Sequence, residues 1–143
     1  MFADHGRDQS GWVVVEAAVD SGATENVMAE AAMKGVKTIE GESRRRGVAC
    51  AVAKGVRILN LGEKRFVGIS KEGVQKGLTC QICDVNRPLL SVSKIVSAGH
   101  KVVFSRAGSW IEEEHTGRIM ALREDSGMYT LQMWVHAGAQ APF

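Results

Sequence analysis

Residues 12–22 of the chain read WVVVEAAVDSG, an apolar run that ends in a turn. Its β-branched and aromatic residues predict a buried strand from Trp12 to Val19. Asp20, Ser21 and Gly22 then supply the residue types of a tight turn. An aspartate directly after an apolar strand has a partly desolvated carboxyl, and a glycine beside it lets the main chain approach a ligand. The loop is a candidate functional site, although Asp-Ser-Gly alone is a common turn sequence.

Two short helices are predicted further along the chain. Thr24 is a suitable cap for a helix from Glu25 to Lys34, whose alanine and methionine residues favour helix. Pro88 is suited to the start of a second helix, Leu89 to Ser97, which ends before a glycine. Both helices are short compared with the strand-like segments around them.

The remaining segments have the pattern of short strands. Glycines recur between positions 36 and 85 and divide this segment into pieces of strand length, as in successive hairpins. Leu78, Cys80 and Ile82 alternate with polar residues, which suits a strand with one buried face. Further strands are predicted at 102–104, 110–111 and 129–135, with Ser126 and Gly127 turning the last hairpin. The predicted class is mostly β with two short helices.

The length of 143 residues fits one domain and is too short for two independent cores. We expect a flexible N-terminal arm at 1–11, a folded domain at 12–136 and a flexible tail at 137–143. These boundaries follow the change from polar or small residues to apolar, strand-like runs.

Composition argues against several classes of function. Eighteen Lys and Arg against sixteen Asp and Glu give a net charge of +2, which is too small for a domain whose affinity depends on phosphate contacts. No apolar run approaches the roughly 20 residues that cross a bilayer. The three cysteines are an odd number in a chain without an evident secretion signal, so we expect reduced thiols and an intracellular setting.

Two later segments of the sequence bear on the interpretation of the Asp20 loop. Residues 83–94 read CDVNRPLLSVSK and residues 99–104 read GHKVVF. Together with Asp20-Ser21-Gly22, they resemble the retropepsin-like aspartic proteases, and most closely those of copia-type retrotransposon polyproteins. In those proteases an Asp-Ser-Gly-Ala is followed by a Leu-Leu-Ser-Val helix, a glycine and a Val-Val-Phe strand. The resemblance covers about residues 12–135, and residues 53–56, AKGV, also look like the flap region of the retroviral-protease-like domain in DNA-damage-inducible proteins.

The resemblance implies a retropepsin-like closed β-barrel that acts as a homodimeric aspartic endopeptidase. In such an enzyme each chain contributes one aspartate, and the two carboxylates share one proton, so that one activates water while the other polarises the scissile carbonyl. The expected substrate is an extended peptide of the chain's own polyprotein, cut in the cytoplasm or within a virus-like particle. No metal, cofactor, membrane or nucleic acid is expected to bind this domain.

The resemblance also implies roles for individual residues. The catalytic loop is Asp20, Ser21 and Gly22. A flap hairpin within residues 51–64 covers the cleft. Substrate contacts are expected from the loop, the flap and the segment after the next strand: Ala23, Thr24, Lys54, Gly55, Val56, Ile58, Leu59 and Val85. Structural support is expected from Arg87, Leu89 and Leu90.

One pairing departs from the family pattern. In that family the arginine at the position of Arg87 pairs with an aspartate two residues past the motif glycine. This chain has Thr24 at that place, and Glu25 is the nearest acid.

Several alternatives stay open from the sequence. Asp125-Ser126-Gly127 repeats the tripeptide, but a charged segment precedes it, which favours a hairpin turn over a second catalytic loop. Cys80 and Cys83 have the spacing of half a zinc site, yet no second pair completes four ligands, which favours strand residues. The flap segment is alternatively a plain core hairpin. The ends of the chain are poor strand formers, so residues 118–135 are the candidate dimer strands, and the whole chain is alternatively a catalytically silent dimerising or peptide-binding module.

Overall fold

The computed structural model of the protein describes residues 11–47, 49–51 and 57–136. Within these ranges it is mostly β, as the sequence predicts. The strands in chain order are β1 (Trp12–Asp20), β2 (Val27–Met28), β3 (Cys50–Ala51), β4 (Arg57–Ile58), β5 (Glu63–Ser70), β6 (Gln75–Ile82), β7 (Leu89–Ser91), β8 (His100–Val103), β9 (Ser109–Glu113), β10 (Ile119–Asp125) and β11 (Met128–His136). The α-helices are α1 (Glu42–Arg45) and α2 (Val92–Ser97), and a 3-10 helix spans Glu30–Met33.

Six of the strands close into a barrel in the order β1-β7-β2-β6-β5-β11. The barrel closes because β11 also pairs with β1, antiparallel, from Trp12 with His136 to Ala18 with Thr130. The sheet continues beyond β11 through β10, β9 and β8. The closed β-barrel expected for this chain is therefore confirmed.

The first strand has a partner on each side. Val15 and Ala17 are buried while Glu16 between them is exposed, which is the alternation of a strand with one face in the core. In addition to β11, the strand pairs parallel with β7 through its last three residues, and the final pair is Asp20 with Ser91. The predicted strand is confirmed and extends to Asp20.

Two large groups of buried side chains form most of the core. The first fills the barrel and consists of Val15, Met28, Met33, Val36, Phe66, Cys80, Ile82 and Val135. The second joins the barrel to the sheet of β8 to β10 and consists of Ala17, Val74, Leu90, Ile111, Met120, Leu131 and Met133. Leu78 packs against both groups, so the interior of the molecule is continuous.

The predicted helix from Glu25 to Lys34 is wrong in its first half. The structure has β2 there, followed by the 3-10 helix. Val27 pairs with Gln81 of β6 and with Leu89 of β7, so this short strand bridges two barrel strands. Tertiary pairing outweighs the modest helix preference of the alanines and methionines in this segment.

The second predicted helix is confirmed for Val92–Ser97 and wrong for Leu89–Ser91. The latter residues form β7, because β1 takes them as its parallel partner. Ser91 caps the helix, since its side chain accepts a hydrogen bond from the Lys94 N–H. Gly99 follows with a φ of 89°, the left-handed conformation that glycine adopts after a helix.

The cysteines differ from the expectation of three reduced thiols. Cys50 of β3 and Cys83, just after β6, form a disulfide with their Cα atoms 6.7 Å apart. The bond fastens the β3–β4 hairpin to the barrel. Cys80 is the free cysteine, and burial raises the pKa of its thiol to about 12. This thiol therefore stays protonated at neutral pH and is a core residue.

Candidate active site

The Asp20 loop lies at the end of β1, where this barrel strand is followed by a turn. Asp20 is partly buried, and Ser21 and Gly22 are exposed. One carboxylate oxygen of Asp20, Oδ1, accepts a hydrogen bond of 2.8 Å from the Gly22 N–H. A side chain at position 22 would begin 3.3 Å from that same oxygen, so glycine suits the close approach. The loop thus holds a carboxylate at the surface in a defined orientation.

Ser91 of β7 forms a hydrogen bond to the C-terminal side of the loop. Its side chain is fully buried, and its Oγ donates a hydrogen bond of 2.7 Å to the carbonyl oxygen of Ala23. The same Oγ accepts from the Lys94 N–H at the start of α2. Because β7 lies parallel to β1, these contacts connect the strand, the loop and the helix at one point. The loop is therefore supported by regular secondary structure on both sides.

Asn26 completes this support. Its Oδ1 accepts a hydrogen bond of 2.8 Å from the Ser91 N–H, and its amide nitrogen lies 3.3 Å from the Thr79 carbonyl oxygen as a donor. The Asn26 side chain therefore links the segment after the loop to both β7 and β6. The sequence does not indicate this role, because an asparagine six residues after the aspartate belongs to no recognisable motif.

The second Asp-Ser-Gly has a different structure. Ser126 and Gly127 have φ values of 55° and 82°, so they form the two-residue turn between β10 and β11. The Gly127 N–H bonds to Glu124 and not to the aspartate of its own tripeptide. Asp125 is exposed at the end of β10. The interpretation of this copy as a hairpin turn is confirmed.

The hairpin of β3 and β4 is the described part of the expected flap. Ile58, Val85 and Leu89 pack against a small buried cluster that contains Cys50 and Val27. This cluster places the base of the hairpin beside β2 and β7, the two strands next to the Asp20 loop. Leu59 is 73% exposed, which leaves an apolar side chain open to solvent just after β4.

The flap interval 51–64 is too long at its C-terminal end. Glu63 and Lys64 belong to β5, and Lys64 is completely buried. Its ammonium forms an ion pair of 2.9 Å with Glu30 and donates to the carbonyl oxygens of Glu30 and Met33. Thr38 and then Lys64 hydrogen-bond the Glu30 carboxylate and lower its pKa. Lys64 therefore fastens the 3-10 helix to the barrel, a role that the charged sequence around it does not reveal. The expected contacts Lys54, Gly55 and Val56 lie outside the described residues.

Other expected site residues lie directly after the Asp20 loop or in β7. Ala23 is buried and offers its carbonyl oxygen to Ser91, whereas Thr24 beside it is exposed. Leu89 and Leu90 lie in β7 and support the loop through the pairing with β1.

Arg87 has a contact that the sequence does not indicate. Its Nη1 lies 2.6 Å from the Met128 sulfur, at the start of β11. Glu25, the nearest acid in sequence, pairs instead with Lys94 at 3.4 Å. Arg87 is therefore directed toward β11 rather than toward the acid beside the loop.

In the ranges that the structure describes, no group of three or more His, Cys, Asp or Glu side chains could hold a metal ion. Cys80 and Cys83 do not act as a pair of ligands, since one is buried in the barrel and the other is in the disulfide. The same ranges contain no helix that is long and apolar enough to cross a membrane. Comparisons of the chain with protein-family models, with the curated proteins and with the solved structures find no match.

Proposed function

We propose that this chain is one half of a homodimeric, retropepsin-like aspartic endopeptidase. The observation that carries the proposal is the position of Asp20 at the end of β1, paired with Ser91 of a parallel strand that leads directly into a helix. The Ser91 and Asn26 side chains connect the segment after this loop to β7. A partly buried carboxylate, oriented by a loop that is tied to regular secondary structure, is an arrangement that suits acid–base chemistry.

The proposed chemistry needs a second carboxylate. Two aspartates that face one another across a two-fold axis share one proton, since like charges a few ångströms apart do not both ionise readily. The ionised member takes a proton from water, which attacks the peptide carbonyl, and the protonated member donates a hydrogen bond to the carbonyl oxygen. Asp125 is in a hairpin turn, so the second aspartate is assigned to Asp20 of another copy of the chain.

The proposed substrate is an extended peptide. The base of the β3–β4 hairpin lies beside the two strands next to the loop, and the exposed Leu59 gives it an apolar side chain for a substrate. A polyprotein of a copia-type retrotransposon is the proposed source of the peptide, on the basis of the sequence resemblance. The cytoplasm or a virus-like particle is the corresponding proposed location.

The Asp20→Asn variant tests this proposal, and Asp125→Asn is its matched control because both aspartates begin the same tripeptide. Asparagine is nearly isosteric but cannot take up the proton, so Asp20→Asn is expected to lower peptide cleavage by about 10²- to 10⁴-fold or more. Its melting temperature should stay the same or rise, since one carboxylate of a repelling pair is removed. Asp125→Asn should cleave at the wild-type rate.

The assay measures initial cleavage of peptides with large apolar residues around the scissile bond. It runs from about pH 4 to about pH 8, because a pair that shares one proton titrates in the acid range. Wild-type turnover by the Asp20→Asn variant would contradict the catalytic assignment. Loss of turnover on adding a chelator or a thiol reagent would indicate a metal or cysteine hydrolase instead.

A catalytically silent peptide-binding module with the same fold is the second candidate. The position of Arg87 favours it, because this side chain contacts Met128 and no acid beside the catalytic loop. A silent module predicts no turnover at any pH and a peptide affinity that is nearly independent of pH. The same peptide series separates the two candidates by measuring binding and cleavage together.

A further inference from the structure

A cavity of about 380 Å³ lies between the open edge of β6, the helix α2 and the sheet formed by β9, β10 and β11. Its volume is within the range of about 300–1,000 Å³ that is typical of small-molecule sites. Most of its wall is aliphatic, and the main apolar contributors are Leu78, Leu90, Ile95, Ile111, Met120 and Leu131. The residues Asp20, Ser21 and Gly22 do not line it, so the cavity is distinct from the proposed catalytic loop.

His100 brings an unsatisfied polar group to this wall. It is the first residue of β8, it is only 9% exposed, and it lines the cavity. Neither of its ring nitrogens has a hydrogen-bond partner among the residues that the structure describes. A buried polar group without a partner is energetically unfavourable, and natural structures contain few of them. A ligand in the cavity would supply the missing partner.

The edge of β6 adds backbone groups to the same space. The Gln81 N–H bonds to the Asn26 carbonyl oxygen, whereas Ile82 bonds on the opposite side to Gly62. Because backbone groups alternate along a strand, Gly77 and Thr79 also direct their N–H and C=O groups away from β5, and the Thr79 carbonyl oxygen accepts from the Asn26 amide. The pairing of β6 with β2 begins only at Gln81, so this part of the edge opens into the cavity.

The charged side chains at the rim pair with one another or with a neighbouring carboxylate. The lining includes Lys76 and Lys94 but a single carboxylate, Glu25. Lys94 pairs with Glu25 at 3.4 Å, and Lys76 pairs at 3.0 Å with Glu113, which lies outside the lining. The groups left to receive a carboxylate are therefore the ring of His100 and the Gly77 and Thr79 N–H groups on the open edge of β6.

From these features we propose that the cavity binds a small apolar monocarboxylate. The aliphatic wall takes its hydrocarbon part, and His100 together with the open edge of β6 takes its carboxylate. Decanoate is a suitable probe because it combines a single carboxylate with a flexible aliphatic chain. Decanamide has the same chain and no charge, so it reports binding that depends on the hydrocarbon alone.

Isothermal titration calorimetry of the full chain with each probe tests the proposal. Decanoate should bind with a stoichiometry of one per chain and at least about tenfold more tightly than decanamide, since hydrogen bonds to a charged group are worth more than those to a neutral one. His100→Phe places an aromatic ring without nitrogens at this position, so it should weaken decanoate binding by roughly tenfold or more. His115→Phe, on the exposed turn after β9, should leave it unchanged. Equal affinity for the two probes, or unaltered decanoate binding by His100→Phe, would refute the proposal.

A second pair of variants tests the location without changing a buried residue. Ala98, after α2, is exposed and lines the cavity, whereas Val96 on the same helix is exposed and does not. Ala98→Trp should obstruct the cavity and reduce decanoate affinity by roughly tenfold or more, while Val96→Trp should bind as the wild type does. Equal decanoate affinity in both tryptophan variants would place the binding elsewhere and overturn the assignment.

Discussion

The carboxylates of Asp20 and Glu113 have different hydrogen-bond partners. The Asp20 carboxylate accepts a single backbone N–H from its own turn. The Glu113 carboxylate at the end of β9 instead accepts from the Thr116 hydroxyl and pairs with Lys76. These donors favour the ionised form and lower the Glu113 pKa to about 2, with Thr116 as the largest cause. A carboxylate that is held in this way stabilises the fold only while it is ionised.

Glu113→Gln therefore tests a pH-dependent contribution to stability. The folded pKa lies below the ordinary value of 4.5, so the contribution is fully present above about pH 4.5 and disappears as the pH falls toward about 2. We expect the melting temperature of the wild type to fall more steeply over this range than that of Glu113→Gln.

Glu114→Gln on the next, exposed position is the control, and it should follow the wild-type curve. Thermal melts in steps from about pH 6 to about pH 2 measure all three proteins. Parallel curves for the wild type and Glu113→Gln would contradict the assigned cause.

The junction of β7 and α2 is the element on which the proposed site depends most. Ser91 makes three hydrogen bonds there, through its N–H to Asn26, through its Oγ to Ala23 and as the cap that accepts from Lys94. Strand, loop and helix meet in one buried side chain. A substitution of Ser91 is therefore expected to destabilise the strand, the loop and the helix together.

Ser91→Ala is expected to lower the free energy of unfolding by about 1–3 kcal/mol, because it leaves the buried Ala23 carbonyl without its donor and removes the helix cap. Ser93→Ala, within α2 and exposed, is the matched control and should change it by less than about 0.5 kcal/mol. Urea unfolding followed by circular dichroism measures both. Equal effects of the two substitutions would show that the capping and loop contacts contribute little.

Some elements could be predicted from local sequence and others could not. The run of β-branched residues before Asp20 and the turn at Ser126 and Gly127 carry strong local signals, and both are confirmed. The segment at Val27 could not be recognised as a strand, because its pairing with β6 and β7 depends on residues that are distant in sequence. For the same reason the sequence predicts helix at Leu89–Ser91, although these residues pair with β1 as a strand. The disulfide and the contacts of Asn26 likewise depend on proximity in space, which spacing along the chain does not give.

At the scale of the whole molecule, the barrel carries a single loop of the proposed catalytic type. The other copy of the tripeptide is used as a hairpin turn. A dyad therefore needs two chains, and symmetric homodimers are the most common assemblies. The proposed enzyme is complete only as a dimer, so its activity should depend on concentration wherever the monomer predominates.

Sedimentation velocity at micromolar and lower concentrations tests the assembly. We expect a species of twice the monomer mass at the higher concentrations, and a rate of cleavage that rises with the square of the concentration where the monomer predominates. A crosslink between Asp20→Cys loops of two chains would report that the loops face one another. A strictly monomeric protein that still cleaves peptide would contradict the shared dyad.

The pairing of β1 with β11 also sets the order in which the fold is completed. Trp12 lies opposite His136, so nearly the whole described chain separates the two strands that close the barrel. On the ribosome, β1 emerges first and its antiparallel partner last, and until then the edge of β1 that β11 covers stays open. Contacts between such distant segments make folding slow, because the entropy of closing the long loop is lost before the contacts form. Synthesis of this protein therefore includes a period in which an apolar strand has an open edge, and any partner that binds the nascent chain at that stage has a strand edge to recognise.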